Sequence, residues 1–211
     1  MKPLNELTIA MASDHAGFEL KRMIQLWLEK EGAKVKDFGC FSTESCDYSD
    51  FAHPLAEAVE KGEYEFGIVI CSTGNGITMT ANKHQGIRAA LCWETRLAEL
   101  ARQHNNANVL GLPANFVAPD KALDIVHAFF SSDFEGGRHE RRVNKIAIKY
   151  RSALRLELRA KSSRLSAYFA YAAFCQRRAG GYLSVALPRM PRGTSKYRNT
   201  GTPGYRKTYF P

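Results

Sequence analysis

The run Phe66-Gly67-Ile68-Val69-Ile70-Cys71 constrains this chain more than any other segment. Its apolar residues occupy odd and even positions alike, so a strand built from it has no face for water. Such a strand needs cover on both sides, which parallel sheets obtain from helices packed on both faces. The flanking sequence supplies that cover. Leu7 to Ala12 reads as a second buried strand and Ser13 to Gly17 as a turn. Phe18 to Glu31 carries Leu20, Ile24, Trp27 and Leu28 at helical spacing, and Gly32 stops it.

The alternation continues. Val35 to Phe38 is predicted as a strand, residues 39–50 as irregular, and Phe51 to Lys61 as a helix with Leu55, Ala58 and Val59 inward. A helix follows near Ile77–Asn82, then a strand from Ile87 to Cys92 and a helix from Thr95 to His104. Val109 to Leu112 is a strand, and Pro119 to Phe130 a helix with proline in its first turn. A last helix is expected from Gly137 to about Ile148. The expected class is α/β, with a parallel sheet between helical layers over residues 1–148. Ligands in such folds bind at the carboxyl ends of the strands. Three clusters are expected there: Asp14-His15, Cys71 with its glycine loop, and His104-Asn105.

Charge divides the chain at the same place. Residues 149–211 hold 14 of the 30 basic residues and one of the 21 acidic ones, which leaves residues 1–148 at net −4. An acidic domain is a poor nucleic-acid binder, so only the basic tail is a candidate for that role. The tail shows little periodicity, and four prolines between residues 188 and 211 point to disorder. It reads either as an extension that binds RNA or anionic surfaces, or as translation past a lost frame or stop. The apolar stretch Ser166 to Phe174 is too short to span a bilayer, and the amino terminus has no signal-peptide core. No membrane partner and a cytoplasmic location are the expectations. The five cysteines form no CxxC pair, so neither a disulfide framework nor a zinc site is expected.

Four constellations carry possible chemistry, each with a plainer alternative. Cys71-Ser72-Thr73-Gly74-Asn75-Gly76 puts a thiol at a strand end, entering a turn whose amides can form an anion nest that stabilises an enediolate. The alternative is a simple connector. Asp14-His15 suits a hydroxyl and a phosphate, or is a helix cap beside a surface histidine. His104-Asn105 gathers polar groups, or is a favourable histidine at a helix carboxyl end. Arg138 and Arg142, at i and i+4, can grip one phosphate or form a solvated face. No P-loop or GxGxxG pattern supports a nucleotide.

In order and spacing these pieces resemble the ribose-5-phosphate isomerase B family, within a group that includes galactose-6-phosphate isomerase subunits. The matching segments are Ser13–Phe18, Asp47-Tyr48, Ile70–Ile77, Ala81-Asn82-Lys83, Gly86–Ala89, Arg102–Leu110 and Phe134–His139. The resemblance spans about residues 7–148. It implies a Rossmann-like (flavodoxin-like) fold and a homodimer or homotetramer with active sites shared across the interface. It implies an aldose–ketose isomerase that converts ribose 5-phosphate to ribulose 5-phosphate in the pentose phosphate pathway, with no cofactor and no metal. Cys71 would be the base and His104 the acid that opens the furanose ring. Asp14, His15, Ser72, Thr73, Gly74, Asn75 and Gly76 would bind sugar. Asn105, Arg138 and Arg142 would complete the site, the arginines holding phosphate from the neighbouring subunit. An unassisted thiol is mostly protonated at neutral pH, so the helix start after the loop would have to help.

There is one departure. The family often carries an arginine soon after the Asn-Val-Leu strand, and Asn115 stands about there. Competing readings are an isomerase of a 6-phosphate hexose of allose or galactose type, an idle sugar-phosphate sensor, and an RNA-binding protein acting through the tail.

Overall fold

The computed structural model describes residues 2–148. Five strands alternate with helices. They are β1 (Thr8–Ser13), β2 (Lys34–Asp37), β3 (Phe66–Cys71), β4 (Ala89–Leu91) and β5 (Val109–Pro113). The helices are α1 (Phe18–Lys30), α2 (Tyr48–Glu60), α3 (Asn75–Ala81), α4 (Thr95–Asn105), α5 (Pro119–Phe130) and α6 (Arg138–Val143). All strand pairs are parallel, in the order β2-β1-β3-β5-β4.

Side-chain alternation along the strands builds the two cores. On one face Ile9, Met11, Ile68, Ile70, Leu110 and Leu112 meet Ile24 and Leu28 of α1, Ala98 of α4, and Ile125 and Phe129 of α5. On the other Ala10, Ala12, Val69 and Cys71 meet Ala52, Leu55 and Val59 of α2 and Ile77 of α3. Each fully buried aliphatic side chain stabilises the fold by about 1.5–3 kcal/mol. The three-layer α/β/α arrangement is the one that the doubly apolar β3 demands.

Three sequence expectations need correction. The helix over Tyr48–Glu60 starts three residues before the expected Phe51, because the Asp50 amide closes a turn onto the Asp47 carbonyl at 3.1 Å. β4 is only three residues long, and Asn82 and Asn108 side chains take the amides of Ala89 and Arg88 at 2.8 Å each. The last helix ends at Val143 rather than Ile148. Ile146 and Ile148 are 53% and 66% exposed, and helices in proteins persist mainly where an apolar face is buried.

Among the described residues no helix is long and apolar enough to cross a membrane. The expectations for residues 149–211 lie outside the described residues.

Candidate functional site

From β1 the chain crosses to β2 on one side and later to β3 on the other. The strand order therefore reverses between β1 and β3, which opens a crevice at their carboxyl ends. Asp14 and Cys71 flank it. The buried Asp14 donates its amide to the Ile70 carbonyl at 3.1 Å, and its Oδ1 accepts the Gly17 amide at 2.9 Å. His15 Nδ1 accepts the Cys46 amide at 3.3 Å, so the proton of the neutral ring sits on Nε2 and makes it a donor.

Cys71 is 4% exposed, and its carbonyl receives the amides of Gly74 at 3.1 Å and Ala114 at 2.9 Å. This folds the loop back over the strand end. Gly74 has φ 72°, and a Cβ there would lie 2.3 Å from Leu91 Cδ1. A Cβ on Gly76 would lie 2.6 Å from Cζ of Tyr48, so that ring rests directly on the loop. Asn75 donates its amide to Thr73 Oγ1 at 3.3 Å, and the first amides of α3 have no intrahelical partner. Asn115 ties β5 to this loop: its amide reaches the Ser72 carbonyl at 3.0 Å, and its Nδ2 donates to Ser72 Oγ at 2.9 Å.

His104 and Asn105 are elsewhere. They close α4 and precede β5, so they lie at the amino edge of the sheet, not at the expected carboxyl edge. The reason is geometric. A helix that returns a parallel strand runs antiparallel to it and ends where the next strand begins. Asn106 leaves the helix at φ 47°, and Arg102 holds the turn by donating to Asn106 Oδ1 at 3.0 Å and the Ala107 carbonyl at 2.7 Å.

α6 packs against α4 at this edge and brings its own groups. The His104 and His139 rings stack with centroids 4.2 Å apart and planes 7° from parallel. Arg138 Nε–H donates to His139 Nε2 at 3.3 Å. Burial, then the neighbouring His104 and Arg138, push the His139 imidazole below its ordinary range. The exposed Arg138 and Arg142 sit one helical turn apart.

The candidate residues thus fall into two groups at opposite edges of the sheet. Asp14, His15 and Cys71 to Gly76 share the carboxyl edge, while His104, Asn105, Arg138 and Arg142 share the amino edge. Sequence reasoning missed Tyr48 as a wall of the loop, the Asn115–Ser72 pairing, and the group His104, Glu135 and His139. Glu135 and His139 have a legible i, i+4 spacing, but His104 joins them only through the packing of α6 on α4.

Comparison with known proteins places this geometry. A family profile described as Ribose/Galactose Isomerase matches residues 9–146. Ribose-5-phosphate isomerase B of Escherichia coli K12 is 46% identical over 138 residues, covering 65% of this chain and 93% of that protein. The solved Clostridium thermocellum ribose-5-phosphate isomerase B is 50% identical with a TM-score of 0.66, covering 66% of this chain and 95% of that one. The Mycoplasma genitalium ribose-5-phosphate isomerase B, solved with bound ribulose-5-phosphate, is 44% identical with a TM-score of 0.65, covering 67% and 94%.

Proposed function

The chain belongs to the ribose/galactose isomerase family, and from that premise we propose that it interconverts ribose 5-phosphate and ribulose 5-phosphate without a cofactor. The observation that carries this reading is Cys71 at the end of β3, opening onto a glycine loop in the β1/β3 crevice. The relative that holds ribulose-5-phosphate supports the choice of sugar.

His104 protonates the ring oxygen of the furanose as the C1–O4 bond breaks, and the O1 hydroxyl releases its proton to solvent to leave the open-chain aldehyde. The Cys71 thiolate then takes the C2 proton of the open-chain aldose. The electron pair left behind forms the C1–C2 double bond of an enediolate, with its charge on O1. Amides of residues 72–76 stabilise that charge. The thiol returns the proton to C1 while the C2 hydroxyl loses its own to O1, which completes the ketose. Asp14 accepts a sugar hydroxyl, His15 donates from Nε2, and Asn105 contacts sugar. Arg138 and Arg142 hold the phosphate, whose binding energy positions the reacting carbons.

The placement of the two groups at opposite edges of one sheet supports a homodimer, alone or paired into a homotetramer, as the working unit. Each site takes its carboxyl edge from one subunit and its amino edge from the partner.

The test is turnover of ribose 5-phosphate by the full chain in chelator, beside Cys71→Ala. Activity that survives chelation and vanishes in the variant is the expected result. Turnover of allose 6-phosphate with none of ribose 5-phosphate would replace the pentose with a hexose.

A further inference from the structure

Glu135 Oε2 lies 3.8 Å from His104 Nε2 and 3.7 Å from His139 Nε2, and the three ligand atoms all fall within 4.8 Å of one another. Two imidazoles and a carboxylate are a donor set that suits zinc-class cations, with room left for water. Tetrahedral zinc with bonds of about 2.0–2.1 Å separates its ligands by roughly 3.3–3.4 Å. The two gaps to Glu135 therefore need to close by only a few tenths of an ångström, and the imidazole pair, held within 4.8 Å, closes the rest as His104 turns. The side chains of His104 and Glu135 are 37% and 52% exposed and have space to move, while that of His139 is 8% exposed and serves as the fixed anchor.

We propose that His104, Glu135 and His139 bind a divalent zinc-class cation, through one imidazole nitrogen of each histidine and a Glu135 oxygen, and that the bound ion withdraws His104 from catalysis. The second half rests on the proposed role of His104; the first does not. No electron transfer or covalent step is involved.

The same geometry sets the character of the site. Arg138 donates to His139 Nε2, one of the atoms a metal would use. Two nearly parallel rings cannot both aim in-plane lone pairs at one ion, so His104 must swing out of its stack. Arg138 and Arg142 add repulsion. These costs make zinc a reversible inhibitor rather than a structural metal. The chain order hides the site, since His104 and Glu135 are far apart in sequence.

The experiment titrates the full chain with zinc against a chromophoric chelator and repeats it with cobalt(II) as a spectroscopic probe. We expect one equivalent per chain, tetrahedral cobalt bands without a sulfur charge-transfer band, and at least about tenfold weaker binding in Glu135→Gln and His139→Asn. His53→Asn, which disrupts the separate His53–His84 contact at 3.0 Å, should bind as the unsubstituted chain does. The half-exposed Glu135→Gln carries the test alone if His139→Asn does not fold. No retained zinc, unchanged binding in Glu135→Gln, a sulfur band, or weaker binding in His53→Asn would each overturn the site. The titration needs no turnover, so it stands apart from the isomerase reading. In an active preparation, inhibition should follow the same zinc dependence and reverse with chelator; zinc bound without inhibition would overturn the second half.

Discussion

Cys71 and His104 lie at opposite ends of the same parallel sheet. Cys71 pairs with Pro113 where β5 finishes, and His104 lies just before β5 begins at Val109. The four residue steps of β5, roughly 13 Å at ~3.3 Å each, separate the two edges. Sites shared between subunits predict complementation. In a hybrid of Cys71→Ala and His104→Asn chains, one site carries both lesions and the other carries none. Co-expressed variants should recover roughly a quarter of full activity with random pairing. No recovery, despite hybrids detected by mass spectrometry, would place both groups in one chain's site.

Loss of the proton-transfer base should be selective among the thiols. Cys71→Ala is expected to lower kcat by about a thousandfold or more while sugar phosphate still binds. Burial pushes the Cys92 thiol up to about 12, so it is a packing group in the core. Cys92→Ala should keep kcat within about twofold. Steady-state kinetics and ligand titration on both variants decide it. Near-normal turnover in Cys71→Ala would remove its assignment as the base.

The fold was legible because local and global signals agree. The doubly apolar β3 and the helical spacing of Ile24 and Leu28 each required the layer they occupy. The place of Asp14 and Cys71 at the carboxyl edge was legible for the same reason: Cys71 ends its strand and Asp14 follows its own directly in sequence. The position of His104 was not, because its motif also borders a strand and only chain direction assigns the edge. The end of α6 was not either. Ile146 and Ile148 look like a continuing helix face, and nothing in the sequence says that no core awaits them.

Asn115 stands about where the family often carries an arginine, and here it bonds Ser72 instead. Its hydrogen bond to Ser72 braces the loop but adds no charge at the carboxyl edge. Asn115→Arg should lower KM for ribose 5-phosphate by about tenfold, the worth of one charge-assisted hydrogen bond, with kcat little changed. Initial-rate measurements across substrate concentration read this directly. An unchanged KM would mean that position 115 does not face the phosphate.

Stability should depend on an ion pair outside the site. The fully buried Lys21 donates to both Asp37 oxygens, at 2.6 and 2.7 Å, and to the Cys40 carbonyl at 2.6 Å. Lys21→Met removes the cation and leaves the mostly buried Asp37 carboxylate without it, a loss of about 3–5 kcal/mol. For a domain of this size that lowers Tm by roughly 10 °C. Calorimetry of the full chain checks it, and a Tm within a degree of the original would show that water replaces the ammonium.

The buried imidazole at the amino edge gives stability a specific pH dependence. Unfolded, His139 titrates near 6.5; folded, burial and the neighbouring His104 and Arg138 hold it lower. As pH falls through 6.5 the unfolded chain binds a proton that the folded chain does not, so stability declines until the folded ring also protonates. The contribution is therefore present above that pH and lost below it. His139→Phe removes the titration but keeps an aromatic ring against His104. Between about pH 7 and about pH 5, Tm should fall more steeply in the unsubstituted chain than in His139→Phe. Parallel curves would show that folding does not hold the His139 proton affinity down.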